Sequence, residues 1–274
     1  MAFTTVNGKK IHYEVYGESG DYLVMGNGLM MMAVSWLHLV PTLKQYFRVV
    51  CIDLHDMGQS EKMDAEYKSE IQCDVIKGVL DEIGAEKAHI CATSYGGTVA
   101  LMFALKYPEY VQKIAVFNTL AYFDPLLAHV CEIWEKAALT YDYATYYDSF
   151  AALIYAPWYL EKYHKSIWGY KEKLKPLVTP EYCKAFVRLS RSQRGYDIRD
   201  RLCEIKCPVL VVGADEDSLT PMRQQRYLAE SIPNAEFVLI PGAGHGVVFE
   251  NPTMLLTLIV GWFRELNGIQ VFSE

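Results

Sequence analysis

The stretch Ala88-His-Ile-Cys-Ala-Thr-Ser-Tyr-Gly-Gly97 decides how the chain is read. Ala88 to Ala92 is an apolar run of strand length, the pattern of a strand covered on both faces. Gly97 to Tyr107 is spaced as a helix and stops at Pro108. Between them the chain turns sharply at Ser94. A hydroxyl on such a corner projects above the sheet, provided that the residues two before and two after are small enough not to collide across the turn. Here they are Ala92 and Gly96. A helix starting just after Ser94 also aims free backbone N–H groups and its positive dipole end at developing negative charge. The same residues would suit a plain serine helix cap followed by a glycine turn, so the motif by itself leaves both readings open.

Working outward, Thr4 to Val6 and Lys10 to Tyr16 flank Asn7-Gly8, a hairpin signal. Strands are expected at Tyr22–Met25, Phe47–Ile52 and Val111–Phe117, and a helix over about 69–84, where Ile71, Val75, Val79, Leu80 and Ile83 share one face. Strand and helix in alternation predict an α/β fold whose parallel sheet is covered on both faces. The alternation stops near 120 and resumes with Pro208–Gly213, a helix over Met222–Ala229, a strand over Glu236–Ile240 and a last helix over about Pro252–Leu266. The interval is too long for a plain loop and reads as helical. The expected organisation is a core of residues 1–121 and 206–274 with a helical insertion at 122–205.

Composition excludes several classes. The chain has 274 residues, 51% hydrophobic and 22% charged, with 18 Gly and 11 Pro, which rules out wholesale disorder, collagen and simple coiled coil. With 26 Lys plus Arg against 33 Asp plus Glu, the net charge of −7 argues against a nucleic-acid partner. The N-terminus MAFTTVNGKK has no apolar signal region, and the apolar run Met254–Phe263 is far short of the about 20 residues a bilayer span needs, so no membrane partner is expected. Seven cysteines, odd in number and scattered, suit reduced thiols and a cytoplasmic protein. Cys203 and Cys207 have no ligand pair nearby, so no metal and no cofactor are expected.

At the elbow the chain resembles the α/β-hydrolase superfamily, and other segments agree with it in order. That pattern is G-x-S-x-G with an acid and then a histidine downstream; Ala92 replaces the first Gly with a side chain that is still small. Val209-Leu-Val-Val-Gly213 is followed by Ala214-Asp-Glu-Asp-Ser-Leu-Thr-Pro221. This looks like the family's acid loop, in which the acid stands four residues before a Pro. The resemblance selects Asp217 over its rivals Asp215 and Glu216. Pro241-Gly-Ala-Gly-His-Gly246 resembles the family's histidine loop and implies His245 as general base. The other histidines, His12, His38, His55, His89, His129 and His164, are read as surface or core.

The resemblance also implies an oxyanion hole. One donor is the backbone N–H of Tyr95, after the nucleophile. The other is the N–H of Leu29 in Gly26-Asn-Gly-Leu-Met30, where the family commonly has His at the position of Asn27. Met30, in a Met-rich run, is a candidate pocket wall. Asp53-Leu-His-Asp-Met-Gly-Gln-Ser60 resembles the family's D-x-R-G-x-G-x-S loop, with His55 and Asp56 departing from Arg-Gly, and is read as structural. Gly26-Asn27-Gly28 lacks the third glycine of a dinucleotide fingerprint.

Residues 122–200 carry 11 Tyr, 3 Trp and 3 Phe, nearly half of the 36 aromatics. In the resembled family an insertion here forms a lid, and Tyr122, Phe123, Trp134, Tyr155 and Trp158 are candidate pocket residues. The resemblance implies a cap-bearing serine hydrolase acting on a small-molecule ester, lactone or thioester with an apolar or aromatic acyl group. The Asn27-Gly28-Leu29 loop resembles those of 3-oxoadipate enol-lactonases and related esterases. The alternatives are a C–C bond hydrolase, a perhydrolase-like enzyme, an aminopeptidase or an acyltransferase with the same triad, or a non-catalytic ligand receptor. Ser94 at the elbow disfavours dehalogenases and epoxide hydrolases, which use Asp there. The oligomeric state, a homodimer included, is left open by the sequence.

Overall fold

The hairpin forms where Asn7 and Gly8, with φ of 51° and 74°, supply the left-handed pair that a two-residue turn between twisted strands requires. In the computed structural model, which describes residues 2–264, it joins β1 (Ala2–Val6) to β2 (Lys9–Tyr16). The chain continues through β3 (Tyr22–Gly26), the short helix α1 (Val40–Leu43), β4 (Arg48–Ile52), α2 (Ile71–Glu82), β5 (Ala88–Thr93), α3 (Tyr95–Lys106) and β6 (Val111–Phe117). Four longer helices follow, α4 (Pro125–Ala138), α5 (Tyr143–Ile154), α6 (Pro157–Leu174) and α7 (Pro180–Arg191). The sheet then resumes with β7 (Val209–Ala214), α8 (Met222–Ser231) and β8 (Ala235–Ile240), and the described chain closes with α9 (Val247–Glu250) and α10 (Pro252–Phe263).

The eight strands form one sheet in the order β1-β2-β4-β3-β5-β6-β7-β8. The β1–β2 and β2–β4 pairs are antiparallel and every other pair is parallel. Strand residues alternate between two cores, as the two-residue strand period demands. Val50, Ile90 and Val211 pack with α2 and α3, whereas Val49, Cys91 and Val212 pack with Leu43, Leu255 and Ile259 on the opposite face. β5 and β7 are buried throughout, which is why both read as continuous apolar runs.

The helices of the interval between β6 and β7 start where the chain supplies caps and prolines. Asp124, Asp142 and Thr179 each accept a backbone N–H from the first turn of α4, α5 and α7. Pro125, Pro157 and Pro180 occupy first helical positions, where the missing N–H costs nothing. Much of the aromatic excess is this segment's own core. Tyr146 stands edge-on to Phe150, Tyr182 and Phe186, and Tyr147 lies 5.1 Å from Phe150. The segment is fastened to the sheet domain by a bidentate pair, Arg188 Nη2 and Nε to Asp56 Oδ1 and Oδ2 at 2.6 and 3.1 Å. Asp56 adopts φ 65°, the conformation suited to the glycine of the resembled loop.

The elbow helix starts at Tyr95 rather than Gly97, because the first turn follows the corner without a spacer. The last helix presents one face only: Leu255, Ile259 and Phe263 are buried while Met254 is exposed. Its expected extension to Leu266 lies outside the described residues. Among the described residues no helix is long and apolar enough to cross a membrane, and all seven cysteines are free thiols.

The elbow rests on a close backbone approach, which gives a stability test. A methyl on Gly96 would stand 2.5 Å from the Gly26 carbonyl carbon and oxygen, atoms that cannot yield without moving β3. Gly261, inside α10, has open space around its would-be methyl. Urea unfolding should show Gly96→Ala destabilised by about 2 kcal/mol or more and Gly261→Ala stabilised by up to about 1 kcal/mol. Equal effects of the two would refute this account of the packing.

Candidate active site

Four successive parallel strands each deliver one polar residue at their C-terminal ends, the edge where open α/β sheets bind ligands. Ser94 follows β5, Asn118 follows β6, Asp217 follows β7, and His245 follows β8. Ser94 takes φ 51° and ψ −118°, an unfavourable conformation that lifts its side chain off the strand path. It is held there by Ser94 N donating to Phe117 O at 2.9 Å and by Ser94 O accepting from Thr119 Oγ1 at 2.9 Å. The small neighbours do what the motif requires. The Ala92 methyl already occupies the space above Gly26, where a second methyl would stand only 2.5 Å away. Ala92 therefore serves in place of Gly because the facing residue has no side chain.

Ser94 Oγ lies 2.9 Å from His245 Nε2, and His245 Nδ1 lies 2.9 Å from Asp217 Oδ2. Asp217 is buried and densely bonded. Its Oδ1 accepts the backbone N–H groups of Leu219 and Thr220, each at 2.9 Å. Its Oδ2 also accepts from Thr220 Oγ1 at 2.5 Å and from Asn118 Nδ2 at 2.7 Å. Burial alone would raise this carboxyl, but the His245 ring and the Thr220 donors outweigh it and hold it below the ordinary aspartate value. An ionised carboxylate only accepts, so the Nδ1 of His245 carries the ring proton and Nε2 is free to accept from Ser94. Asp215, the rival acid, is exposed and accepts the Gly242 N–H at 2.6 Å, bracing the histidine loop instead.

The Leu29 loop lies against the serine: a methyl on Gly28 would stand 3.6 Å from Ser94 Cβ. Leu29 and Met30 are the centre of a turn closed by Met31 N to Gly28 O at 3.0 Å, with Met30 at φ 70°. Asn27 underpins it. Fully buried, it donates to Ile52 O at 2.7 Å and accepts from Trp36 Nε1 at 2.7 Å. The departure from the family's histidine thus installs a buried clamp beneath the turn. Tyr95 is the first residue of α3, so its N–H belongs to the unpaired N-terminal set, while its hydroxyl meets Ser192 Oγ at 3.1 Å, away from the serine.

The candidate pocket residues divide. Tyr155 flanks the histidine loop: a methyl on Gly246 would stand 2.9 Å from its ring. Trp158 reaches the same loop through Nε1 to Gly242 O. Met30, Tyr122 and Phe123 are half-buried against the main core, with Arg199 over the Tyr122 ring. Trp134 packs inside the insertion, its Nε1 bonded to Ser149 O. The structure also places near the site three residues that the sequence reading missed: Asn118, Thr220 and Glu250. Asn118 and Thr220 each carry a weak signal, a polar residue just past a buried strand, while Glu250 carries none that is local. The Asp53 loop is braced internally, Asp53 accepting from Ala33 N, Gln59 N and His12 Nδ1. His12, His55 and His89 are buried; His38, His129 and His164 are exposed. Among the described residues no group of three or more His, Cys, Asp and Glu could hold a metal ion.

Comparison with known proteins places the chain in a family. The family model described as alpha/beta hydrolase fold matches residues 21–252. The structure of MGS-M2, an alpha/beta hydrolase enzyme from a Medee basin deep-sea metagenome library, is 33% identical with a TM-score of 0.93, covering 97% of this chain and 99% of that one. The enol-lactonase of Burkholderia xenovorans LB400 superposes with a TM-score of 0.87 at 23% identity over 96% of this chain and all of that one, a likeness of fold. Among curated proteins, the candidate carbamate hydrolase RutD of Caulobacter sp. is 27% identical over 92% of this chain and 94% of its own. The 2-hydroxy-6-oxononadienedioate/2-hydroxy-6-oxononatrienedioate hydrolase of Paraburkholderia phymatum is 26% identical over 88% of this chain and 86% of its own.

Asp217 and Asp215 separate by experiment. Asp217→Asn should slow covalent labelling by a fluorophosphonate by about 10⁴-fold, because the histidine loses its tautomer control. Asp215→Asn, which keeps an acceptor for Gly242, should slow it by less than about tenfold. Comparable losses at both positions would refute the assignment of Asp217.

Proposed function

The chain belongs to the α/β-hydrolase fold family and is a hydrolase, and we propose that it cleaves a small ester, lactone or thioester through an acyl-enzyme on Ser94. The observation that carries this reading is the chain of contacts from Ser94 Oγ to His245 Nε2 and from His245 Nδ1 to Asp217, each 2.9 Å. A serine hydroxyl is a poor nucleophile until a base takes its proton, and His245 is within reach to do so. Ser94 Oγ attacks the carbonyl carbon as Nε2 accepts the hydroxyl proton. Asp217 steadies the imidazolium that forms.

The tetrahedral oxyanion is received by the N–H groups of Leu29 and Tyr95. Each such donor is worth about 3 kcal/mol in comparable sites. His245 then protonates the leaving alcohol, thiol or ring oxygen as the carbon–oxygen or carbon–sulfur bond breaks. A water deprotonated by His245 attacks the acyl-serine, and the proton returns to Ser94 as the acid leaves.

The insertion is the proposed cap. Tyr155 and Trp158 border the histidine loop, and Leu29, Met30, Tyr122 and Phe123, half-buried against the main core, are the proposed walls on the core side. This lining favours an apolar or aromatic acyl group over a charged one. A C–C bond hydrolase is the second reading, supported by the curated relative that hydrolyses 2-hydroxy-6-oxo dienedioates. Both reactions need a carbonyl carbon attacked at the same corner, and they differ in the leaving group.

A fluorophosphonate should label the protein at one site, with peptide mapping placing the label on Ser94. Ser94→Ala should abolish labelling and reduce p-nitrophenyl ester turnover by about 10⁴-fold or more. A folded protein that resists labelling would refute the serine-hydrolase reading. Product analysis should show acid plus alcohol from an ester, a hydroxy acid from a lactone or acid plus thiol from a thioester, with vinylogous 1,5-diketones cleaved to acid plus ketone more slowly. Preferential diketone cleavage would favour the second reading.

A further inference from the structure

A second buried carboxylate stands beside the proposed base, and the triad does not use it. Glu250 lies at the end of α9, five residues after His245. Its Oε2 accepts the Gly244 N–H at 2.8 Å, the amide immediately before His245. Its Oε1 accepts the Ala156 N–H at 2.9 Å, from the segment joining α5 to α6 in the insertion. Burial pushes this carboxyl above its usual range, the two backbone donors only partly opposing it, with Asp217 and Glu216 adding to the rise. An acid at such a position is costly.

The contacts around it are directional. Gly246 N donates to Ile154 O at 2.6 Å, and Trp158 Nε1 donates to Gly242 O. The loop bearing His245 is therefore stitched to residues 154–158 on one side and to Glu250 on the other. Space there is filled: a methyl on Gly244 would stand 2.5 Å from Ala156 N and 3.0 Å from Glu250 Oε1. The strand end before this loop fixes where the loop starts, not where the imidazole finishes. A single carboxylate gripping both the Gly244 amide and the insertion supplies the second fixed point.

Resting on the function proposed above, we infer that Glu250 is a positioning residue: it holds the backbone that aims His245 Nε2 at Ser94, and it makes that aim depend on the docked insertion. A carboxylate is suited to this because both oxygens accept. An amide of the same size would turn an NH₂ group toward one of the two donors. A misplacement of the base by a fraction of an ångström is expensive in rate and nearly invisible in ground-state binding.

The test uses the full-length protein and reads three quantities: fluorophosphonate inactivation rate per labelled site, labelling endpoint, and the kcat–KM split on a p-nitrophenyl ester. Glu250→Gln, nearly isosteric, should lower the inactivation rate and kcat by about 10- to 100-fold. The endpoint should stay at one label per folded chain, and KM should change by less than about threefold. Gly244→Ala, which wedges the same contact from the other side and keeps the carboxylate, should show the same split. Wild-type rates in folded Glu250→Gln, or a lowered endpoint at wild-type rate per site, would overturn the proposal by reducing Glu250 to a fold-stabilising role. Turnover that survives Ser94→Ala would overturn it together with the reading beneath it, a distinguishable result.

Discussion

The structure turns on the crossing of backbone at Gly26, Ala92 and Gly96. For Ser94 to stand on a corner at the end of β5, the first turn of α3 must come back against the end of β3. The distances leave no room for a side chain on Gly96 and room for one methyl in the gap between Gly26 and Ala92. The left-handed conformation of Ser94 costs on the order of 1–3 kcal/mol. The hydrogen bonds from Ser94 N to Phe117 O and from Thr119 Oγ1 to Ser94 O return part of that cost. The same crossing brings the Leu29 turn against the serine, so nucleophile and candidate oxyanion donor share one steric constraint.

Around this corner the electrostatics separate two buried carboxylates, one bonded to the imidazole and one to the loop that carries it. Asp217 is held ionised by the ring, a hydroxyl and two backbone N–H groups, and it lies below its ordinary value. Glu250, also buried, receives two backbone N–H groups and faces other acids, and it lies above its own. The difference follows from their partners rather than from residue type. A carboxylate paired to the base favours the imidazolium that forms during attack; one bonded to backbone fixes geometry. Such divergent environments around a shared group mark a division of labour.

Much of this was legible in the sequence where the signal was local. The small residues flanking Ser94, the apolar runs of β5 and β7 and the Asn7-Gly8 turn act within a few residues, and each formed where read. Asp217 and His245 were singled out through the resemblance, by loop pattern and order along the chain. Asn118, Thr220 and Glu250 were not, because their contacts are made across loops from different strands and the insertion. The aromatic excess misled in part: Tyr143, Tyr146, Tyr147 and Phe186 are the insertion's own packing, and composition alone does not distinguish a wall from a core. The departure at Asn27 could be noticed but not interpreted until Trp36 and the Ile52 carbonyl supplied its two partners.

Two of the insertion's attachments differ in kind. At α7, the Arg188 guanidinium makes a bidentate pair with an Asp56 carboxylate whose side chain is wholly buried. Removing one partner of such a buried pair costs about 3–5 kcal/mol, since the other charge is left uncompensated. At the α5–α6 junction the fasteners are the backbone bonds of Ala156 and Gly246 and the Trp158 indole on an exposed side chain. Bonds of this kind contribute about 1 kcal/mol each, or somewhat more where the acceptor is charged. One attachment is thus a buried ion pair away from the base, at a loop where Asp56 replaces the small residue of the resembled pattern, and the other is a set of hydrogen bonds on the loop that carries His245. A displacement of the insertion at the α5–α6 junction therefore reaches the His245 loop directly, through the bonds at Ala156, Gly246 and Trp158.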